Sequence, residues 1–276
     1  MNAQDKPTWR LIVSSPGTGA WNMALDEAIL ESAANRNSLP TLRLYSWSPP
    51  CISLGYAQPV SQIDLQRLHS FKWDIVRRPS GGRAILHTDE LTYSVAAPID
   101  DPHFCGGVLE SYRHISKGLV QALTNLHLEI EIQPEVQLSD AEREQAICFE
   151  MPSSYEITAS GKKLVGSAQV RRKGGVLQHG SLPLGGDIAR ICQVLSCPDE
   201  EERTRAASHL RERATTMEQL LGKSVSWQDA VNAMVEGFEA ALGIHLDQQI
   251  LTKVEIERAE ALCKQKYEQQ EWIERL

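Results

Sequence analysis

Three short stretches of the 276-residue chain carry side chains whose types and spacing suit binding an anionic or extended ligand and thiol chemistry. The first is RRPSGGRAILH, residues 77–87. Arg77 and Arg78 precede Ser80-Gly81-Gly82, and Arg83 opens an apolar run that ends at His87. Paired glycines let backbone N–H groups approach a ligand and adopt positive φ. Guanidinium forks suit phosphate or carboxylate oxygens. The same residues also fit a plain hairpin turn with a solvated rim. The second stretch is GKKLVGSAQ, residues 161–169. After a tight turn, the small residues Gly166, Ser167 and Ala168 leave room for an extended ligand across a sheet. Lys163 borders an apolar strand that can desolvate or pair its ammonium, although most hairpin lysines are simply solvated.

The third feature is Cys148, where a polar loop meets the strand-like PSSYE, beside the most basic part of the chain. A thiol with an ordinary pKa near 8.5 is only about 3% thiolate at pH 7. An ammonium about 4 Å away lowers that pKa by about one to two units, enough to make the thiolate substantial. Cys51, Cys105, Cys192, Cys197 and Cys263 read as small, inert core residues. No two cysteines have the two-residue gap of zinc or redox motifs, so no metal is expected.

Charge placement adds a hint. The chain carries 28 Lys and Arg against 36 Asp and Glu, a net of -8, which argues against a nucleic-acid binder. Yet residues 75–88 hold three arginines and no acid, and residues 157–186 hold five basic residues and no acid. Arg77, Arg78, Lys162, Arg171, Arg172 and Lys173 would then steer an acidic partner. No apolar run reaches the roughly 20 residues of a membrane span, and the N-terminus lacks the apolar stretch of a signal peptide, so a cytoplasmic protein is expected.

These residues need elements to hold them. Apolar runs and period-two alternation predict strands over 9–13, 41–47, 51–55, 73–78, 83–87 and 91–97. The last three are joined so tightly that antiparallel neighbours are expected. An amphipathic helix is predicted over 19–34, with Trp21, Leu25, Ala28 and Ile29 on one face and Asp26, Glu27 and Glu31 off it. Further helices fall over 63–70 and 109–126, and a strand near 129–132. Residues 133–146 read as a long polar loop. Strands over 154–158 and 164–170 form a hairpin about Ser160-Gly161-Lys162, with another strand over 175–179. Beyond 187 the pattern is helical, clearest at 230–242 and 254–267. The expected class is α+β, a mixed, largely antiparallel sheet with packed helices.

Taken together, RRPSGGRAILH, CFEMPSSYE and SGKKLVGSAQ, followed by Gln178-His179-Gly180-Ser181-Leu182, resemble one superfamily. It includes lipoate-protein ligases, biotin-protein ligases and octanoyltransferases. NMALDEAIL at 22–30 also fits, and the resemblance runs from about residue 9 to residue 246. Motif by motif the chain is most similar to LipM-type octanoyltransferases. The resemblance implies a ligase-like catalytic domain over 1–246 and a helical extension over 247–276. It implies transfer of octanoyl from acyl carrier protein, with its phosphopantetheine arm, to a lysine of a lipoyl-domain protein such as glycine cleavage H protein. Cys148 would form the acyl-enzyme beside Lys163. Substrate contacts would come from Arg78, Ser80, Gly81, Gly82, Arg83, His87, Gly166, Ser167, Ala168, Gln169 and His179.

One departure separates the subfamilies. ATP-using ligases usually carry a third glycine where this chain has Arg83, and lack a cysteine at the position of Cys148. Both differences favour transfer over ligation, with neither ATP nor a metal required. Three other readings stay open: an ATP-dependent lipoate-protein ligase, an amidotransferase between lipoyl domains, and a homologue that only binds lipoyl domains.

Overall fold

A computed structural model describes residues 6–133 and 156–276. The chain starts with β1 (Thr8–Val13), α1 (Gly19–Ala34), β2 (Thr41–Tyr45), β3 (Cys51–Leu54), α2 (Leu65–Ser70), β4 (Asp74–Arg77), β5 (Ile85–His87) and β6 (Glu90–Pro98). There follow α3 (Val108–Asn125), β7 (Glu131–Gln133), β8 (Glu156–Ala159), β9 (Lys162–Arg172) and β10 (Gly175–Pro183). Beyond them lie α4 (Glu200–Arg213), α5 (Met217–Leu221), α6 (Trp227–Leu242), β11 (His245–Gln248), α7 (Lys253–Leu262) and α8 (Gln270–Ile273).

Eight strands form one sheet in the order β11-β1-β2-β6-β10-β9-β8-β7. Here β1 runs parallel to β11 and β2, and the other pairs are antiparallel. This is the expected mixed, largely antiparallel sheet. Its middle is set by turn chemistry. Ser160 and Gly161 take φ of 50° and 71°, and Lys173 and Gly174 take 52° and 77°. Two successive residues of positive φ make the tight hairpins whose twist matches the flanking strands. They join β8, β9 and β10 into a meander.

Strand alternation divides the core between the two faces of this sheet. Leu42 and Leu44 of β2, with Tyr93 and Val95 of β6, pack with Leu119 and Leu123 of α3 and Met234 and Phe238 of α6. On the other face Tyr45, Ala96 and Leu177 pack against Met23 and Leu30 of α1 and against Leu262 and Tyr267. No helix among the described residues is long and apolar enough to cross a membrane. The segment 247–276 begins inside β11, then carries α7, a π-helical turn at Cys263–Tyr267 and α8.

Three sequence expectations fail here. The strands expected over 73–78, 83–87 and 91–97 are not successive neighbours. A second sheet has the order β4-β3-β5, while β6 belongs to the large sheet. The segment 78–84 crosses the end of β3 instead of turning back, since seven residues easily span two strand spacings of about 5 Å each. Gly55 makes the crossing possible, because a Cβ there would lie 1.8 Å from the Gly82 carbonyl oxygen.

Second, Asp26 and Glu27 do not lie off the packed face of α1. Both are buried, because α1 is covered by the sheet on one side and by α7 on the other. Third, the basic stretches are largely spent inside the fold. Arg77 and Arg78 are buried. Arg172 pairs with Glu27, and Lys173 Nζ lies 3.1 Å from Glu27 Oε1 and 2.5 Å from Glu31 Oε1. Arg171 donates to the carbonyls of Phe104, Gly106 and Gly107, and Lys162 Nζ donates to the Arg211 carbonyl at 2.7 Å. Arg77 and Arg78 therefore offer no surface for steering, while Lys162, Arg171, Arg172 and Lys173 keep some exposure beside their internal partners.

Glu27 is the clearest of these junctions. It accepts from Lys266 Nζ at 2.6 Å and from the Tyr267 hydroxyl at 2.5 Å, besides Arg172 and Lys173. One carboxylate thus ties α1 to the β9–β10 turn and to the C-terminal segment. Removing one partner of a buried ion pair leaves the others uncompensated and costs about 3–5 kcal/mol. Glu27→Gln should lower the urea midpoint correspondingly. An unchanged midpoint would show that these cations reach solvent without loss.

Candidate active site

The small and large sheets face each other across a narrow cleft with a free volume of about 50 Å³. Its walls are Met23, Tyr45, Trp47, Ser53, Arg78, Gly82, Ile85, His87, Thr92, Gly166, Ser167, Ala168, His179, Gly180 and Ser181. The small residues of β9 leave the space, as their sequence implies. Opposite Gly166 and Ser167, Gly180 and Ser181 of β10 continue it.

Arg78 builds the crossing loop. Its Nη1 donates to the Ser53 carbonyl at 2.7 Å, and its Nη2 donates to the carbonyls of Gly81 at 2.8 Å and Arg83 at 2.7 Å. Its guanidinium wraps the loop's own backbone while one edge faces the cleft. Ser80 is buried and its Oγ lies 2.5 Å from His179 Nε2. That contact anchors the loop to β10.

Two carboxylates stand behind the cleft. Asp26 accepts from Arg43 Nη1 at 2.7 Å, the Tyr45 hydroxyl at 2.8 Å and Ser94 Oγ at 2.8 Å. Its Oδ2 lies 3.6 Å from His179 Nδ1. Burial pushes the Asp26 carboxyl up, but Arg43 and His179 more than offset this, and it ends below the usual range. Burial holds His179 below its ordinary value, against the smaller opposing pull of Asp26. The second carboxylate, Glu90, accepts from Thr92 and Ser181, and its Oε1 lies 2.5 Å from His87 Nδ1.

Of the expected site residues, the structure brings Arg78, Gly82, His87, Gly166, Ser167, Ala168 and His179 together on the cleft. Ser80 and Gly81 belong to the crossing loop without lining it. Arg83 does not line it either; its Nη1 lies 3.4 Å from Gln62 Oε1. Gln169 is also elsewhere. Alternation along β9 turns it toward α3, where it meets Ser111 Oγ at 3.2 Å and Gln178 Oε1 at 3.1 Å. Lys163 is buried at the irregular pairing of β8 with β9, and its carbonyl accepts from the Thr215 N–H. It lies three residues before Gly166 and is not among the lining residues. Cys148 falls outside the described residues.

The sequence reading missed Asp26, Tyr45, Trp47, Ser53, Glu90, Thr92 and Ser181 as parts of the site. Tyr45 and Trp47 sit in the alternating run at 41–47, and alternation alone could have placed Tyr45 beside Arg43. None of the five described cysteines lines the cleft. Burial raises Cys51 well above the ordinary thiol range and Cys263 to about 11.

Two outcomes follow. Gly55→Ala must push the crossing loop away, costing about 1–3 kcal/mol as overpacking does. Wild-type melting would contradict this placement of the loop. Asp26→Asn leaves the buried Arg43 uncompensated and should cost about 3–5 kcal/mol at neutral pH. Because the folded-state pKa of Asp26 is depressed, its contribution is present above about pH 4 and fades as pH falls further. The stability gap between wild type and variant should therefore narrow below about pH 4, whereas a gap constant with pH would show that Asp26 is not held ionised by Arg43.

Known proteins place this geometry. Residues 18–239 match the model of the lipoyl protein ligase A/B catalytic domain. The chain is 42% identical over 269 residues to octanoyltransferase LipM of Kyrpidia tusciae, covering 96% of this chain and 98% of that protein. It is 39% identical to octanoyltransferase LipM of Carboxydothermus hydrogenoformans, covering 96% and 98%. The LipM of Bacillus subtilis is 37% identical over 274 residues, covering 97% and 98%. Among solved structures, the bi-partite lipoate protein ligase of Thermoplasma acidophilum superposes with a TM-score of 0.79 at 27% identity, covering 97% of this chain and 96% of that one. A lipoate-protein ligase A bound with ATP gives 0.78 at 26% identity, covering 98% and 100%. The chain belongs to the lipoyl protein ligase A/B catalytic-domain family and, within it, to the LipM octanoyltransferases.

Proposed function

We propose that this acyltransferase moves octanoyl from acyl carrier protein to a lysine of a lipoyl-domain protein, glycine cleavage H protein in the first place, through a thioester on Cys148. The observation that carries this reading is the cleft, walled by the small residues Gly166, Ser167 and Ala168 of β9. Its described lining contains no cysteine, and Cys148, in the motif CFEMPSSYE, is the thiol this reading assigns as the nucleophile.

In the first step the Cys148 thiolate attacks the carbonyl carbon of the octanoyl thioester, and the phosphopantetheine thiolate leaves. Lys163 supplies the positive charge that favours both thiolate and developing oxyanion. In the second step the amine of the acceptor lysine attacks the same carbon, the C–S bond breaks and an amide forms. Thioester exchange is nearly even and amide formation is downhill, so the transfer draws on neither ATP nor a metal. Gly166, Ser167 and Ala168 border the path of the octanoyl chain, while Trp47 and Met23 provide its apolar wall.

Incubation with octanoyl acyl carrier protein alone should add one hydroxylamine-labile octanoyl group to the wild type and none to Cys148→Ser, because a hydroxyl without an adjacent base is a far poorer nucleophile than a thiolate. Intact-mass measurement reads both. A label on another cysteine, full turnover by the Ser variant, or an acyl group that appears only with ATP would overturn the reading.

A further inference from the structure

The cleft is backed by two carboxylate–imidazole–hydroxyl chains, and they differ in three respects that decide their use. In the chain Asp26–His179–Ser80 the carboxylate is already matched by Arg43 at 2.7 Å, His179 stands 3.6 Å away, and Ser80 is not on the lining. In the chain Glu90–His87–Ser53, Glu90 Oε1 lies 2.5 Å from His87 Nδ1, and His87 Nε2 lies 2.8 Å from Ser53 Oγ. Both Ser53 and His87 line the cleft. The other hydrogen-bond partners of Glu90 among the described residues, Thr92 and Ser181, are hydroxyls, which donate to its carboxylate without neutralising it.

Orientation follows from the donors. Arg78 Nη1 donates to Ser53 Oγ at 3.2 Å, which directs the hydroxyl hydrogen toward His87 Nε2 and the Nδ1–H toward Glu90. Trp47 stacks on the imidazole with ring centroids 3.9 Å apart, fixing its plane. The charged and titratable groups around His87 are thus Glu90 from β6, Arg78 from the crossing loop and His179 from β10.

We propose that Ser53, His87 and Glu90 form the proton-accepting chain that converts the acceptor's lysine ammonium into the attacking amine. This rests on the octanoyl-lysine reading above and assigns the group that step needs. The ammonium passes a proton to Ser53 Oγ as the hydroxyl passes its own to His87 Nε2. Glu90 stabilises the imidazolium so formed. The N–C bond then forms at the acyl carbon and the C–S bond breaks. The second proton lost by the nitrogen goes to the departing Cys148 thiolate, and His87 returns the first to solvent.

The test separates the two half-reactions. Glu90→Gln keeps the shape but removes the charge, and His87→Gln removes the proton acceptor. With an octanoyl thioester of pantetheine as donor and an apo lipoyl domain as acceptor, acylation and amine transfer are each timed from about pH 6 to about pH 10. Amine transfer should fall about 100-fold at pH 7, the scale of general-base catalysis, and by more than acylation falls. The deficit should shrink as pH approaches the lysine pKa near 10.4, where the amine arrives neutral and needs no acceptor. A loss by the same factor at every pH is the mark of a structural role and overturns the proposal, as does equal loss of both steps or transfer at the wild-type rate. Should His87→Gln fail to fold, Glu90→Gln and Ser53→Ala carry the same comparison. If the wild type forms no acyl-enzyme, the covalent reading falls, while the pH-dependent deficit in overall transfer still decides this proposal.

Discussion

The buried pair of Asp26 with Arg43 is the constraint on which the site depends. A charge taken out of water must be matched, and the match fixes both partners in place. Asp26 projects from α1 and Arg43 from β2, so their contact sets the height and rotation of the helix over the sheet. Tyr45, Ser94 and His179 then complete the carboxylate from β2, β6 and β10. His179 holds Ser80, and Ser80 holds the crossing loop. The wall of the cleft is therefore reached from a helix interior through a continuous run of polar contacts. The ion pair need not add net stability for this to hold; its contribution is position.

The loop itself shows why the same residue types can be either ligands or scaffolding. Arg77 and Arg78 look like an anion site in sequence. In the fold most of their hydrogen bonds among the described residues go to backbone carbonyl oxygens. Arg77 reaches Gly55, Gln58, Trp272 and Ile273, while Trp272 Nε1 returns a bond to the Arg77 carbonyl. A guanidinium has five donors in a rigid plane, which makes it able to satisfy several turn carbonyls at once. Such carbonyls arise wherever a chain crosses a strand end without pairing.

What the sequence made legible was local. The positive-φ turns at Ser160-Gly161 and Lys173-Gly174, the alternation of β2, and the small residues of β9 each depend on neighbours a few positions away. The meander and the cleft wall follow from them. What stayed hidden depends on partners distant in sequence. Asp26 and Glu27 read as lying off the packed face of their helix until Arg43, Arg172 and Lys266 are brought beside them, the last from 239 positions along the chain. The insertion of β3 between β4 and β5 was hidden for the same reason, since a Pro-Ser-Gly-Gly segment suits a hairpin and a crossing equally well. Gln169 failed more simply: a motif names consecutive residues, but a strand sends alternate ones to opposite faces.

This distinction also explains how one acidic chain can serve a reaction that creates and consumes charge. Much of the charge of the basic stretches is matched by internal partners, and the cleft carries electrostatics of its own. There the two carboxylates divide into one whose charge is matched by Arg43 and one that meets hydroxyls and an imidazole. A matched carboxylate holds structure at neutral pH because little is gained by moving a proton to its neighbour. A carboxylate without a matched cation favours a neighbouring group when that group gains positive charge, and buried surroundings strengthen this effect. The same chemical group, placed twice at one cleft, thus acts as an anchor or as a proton partner according to whether an arginine reached it first.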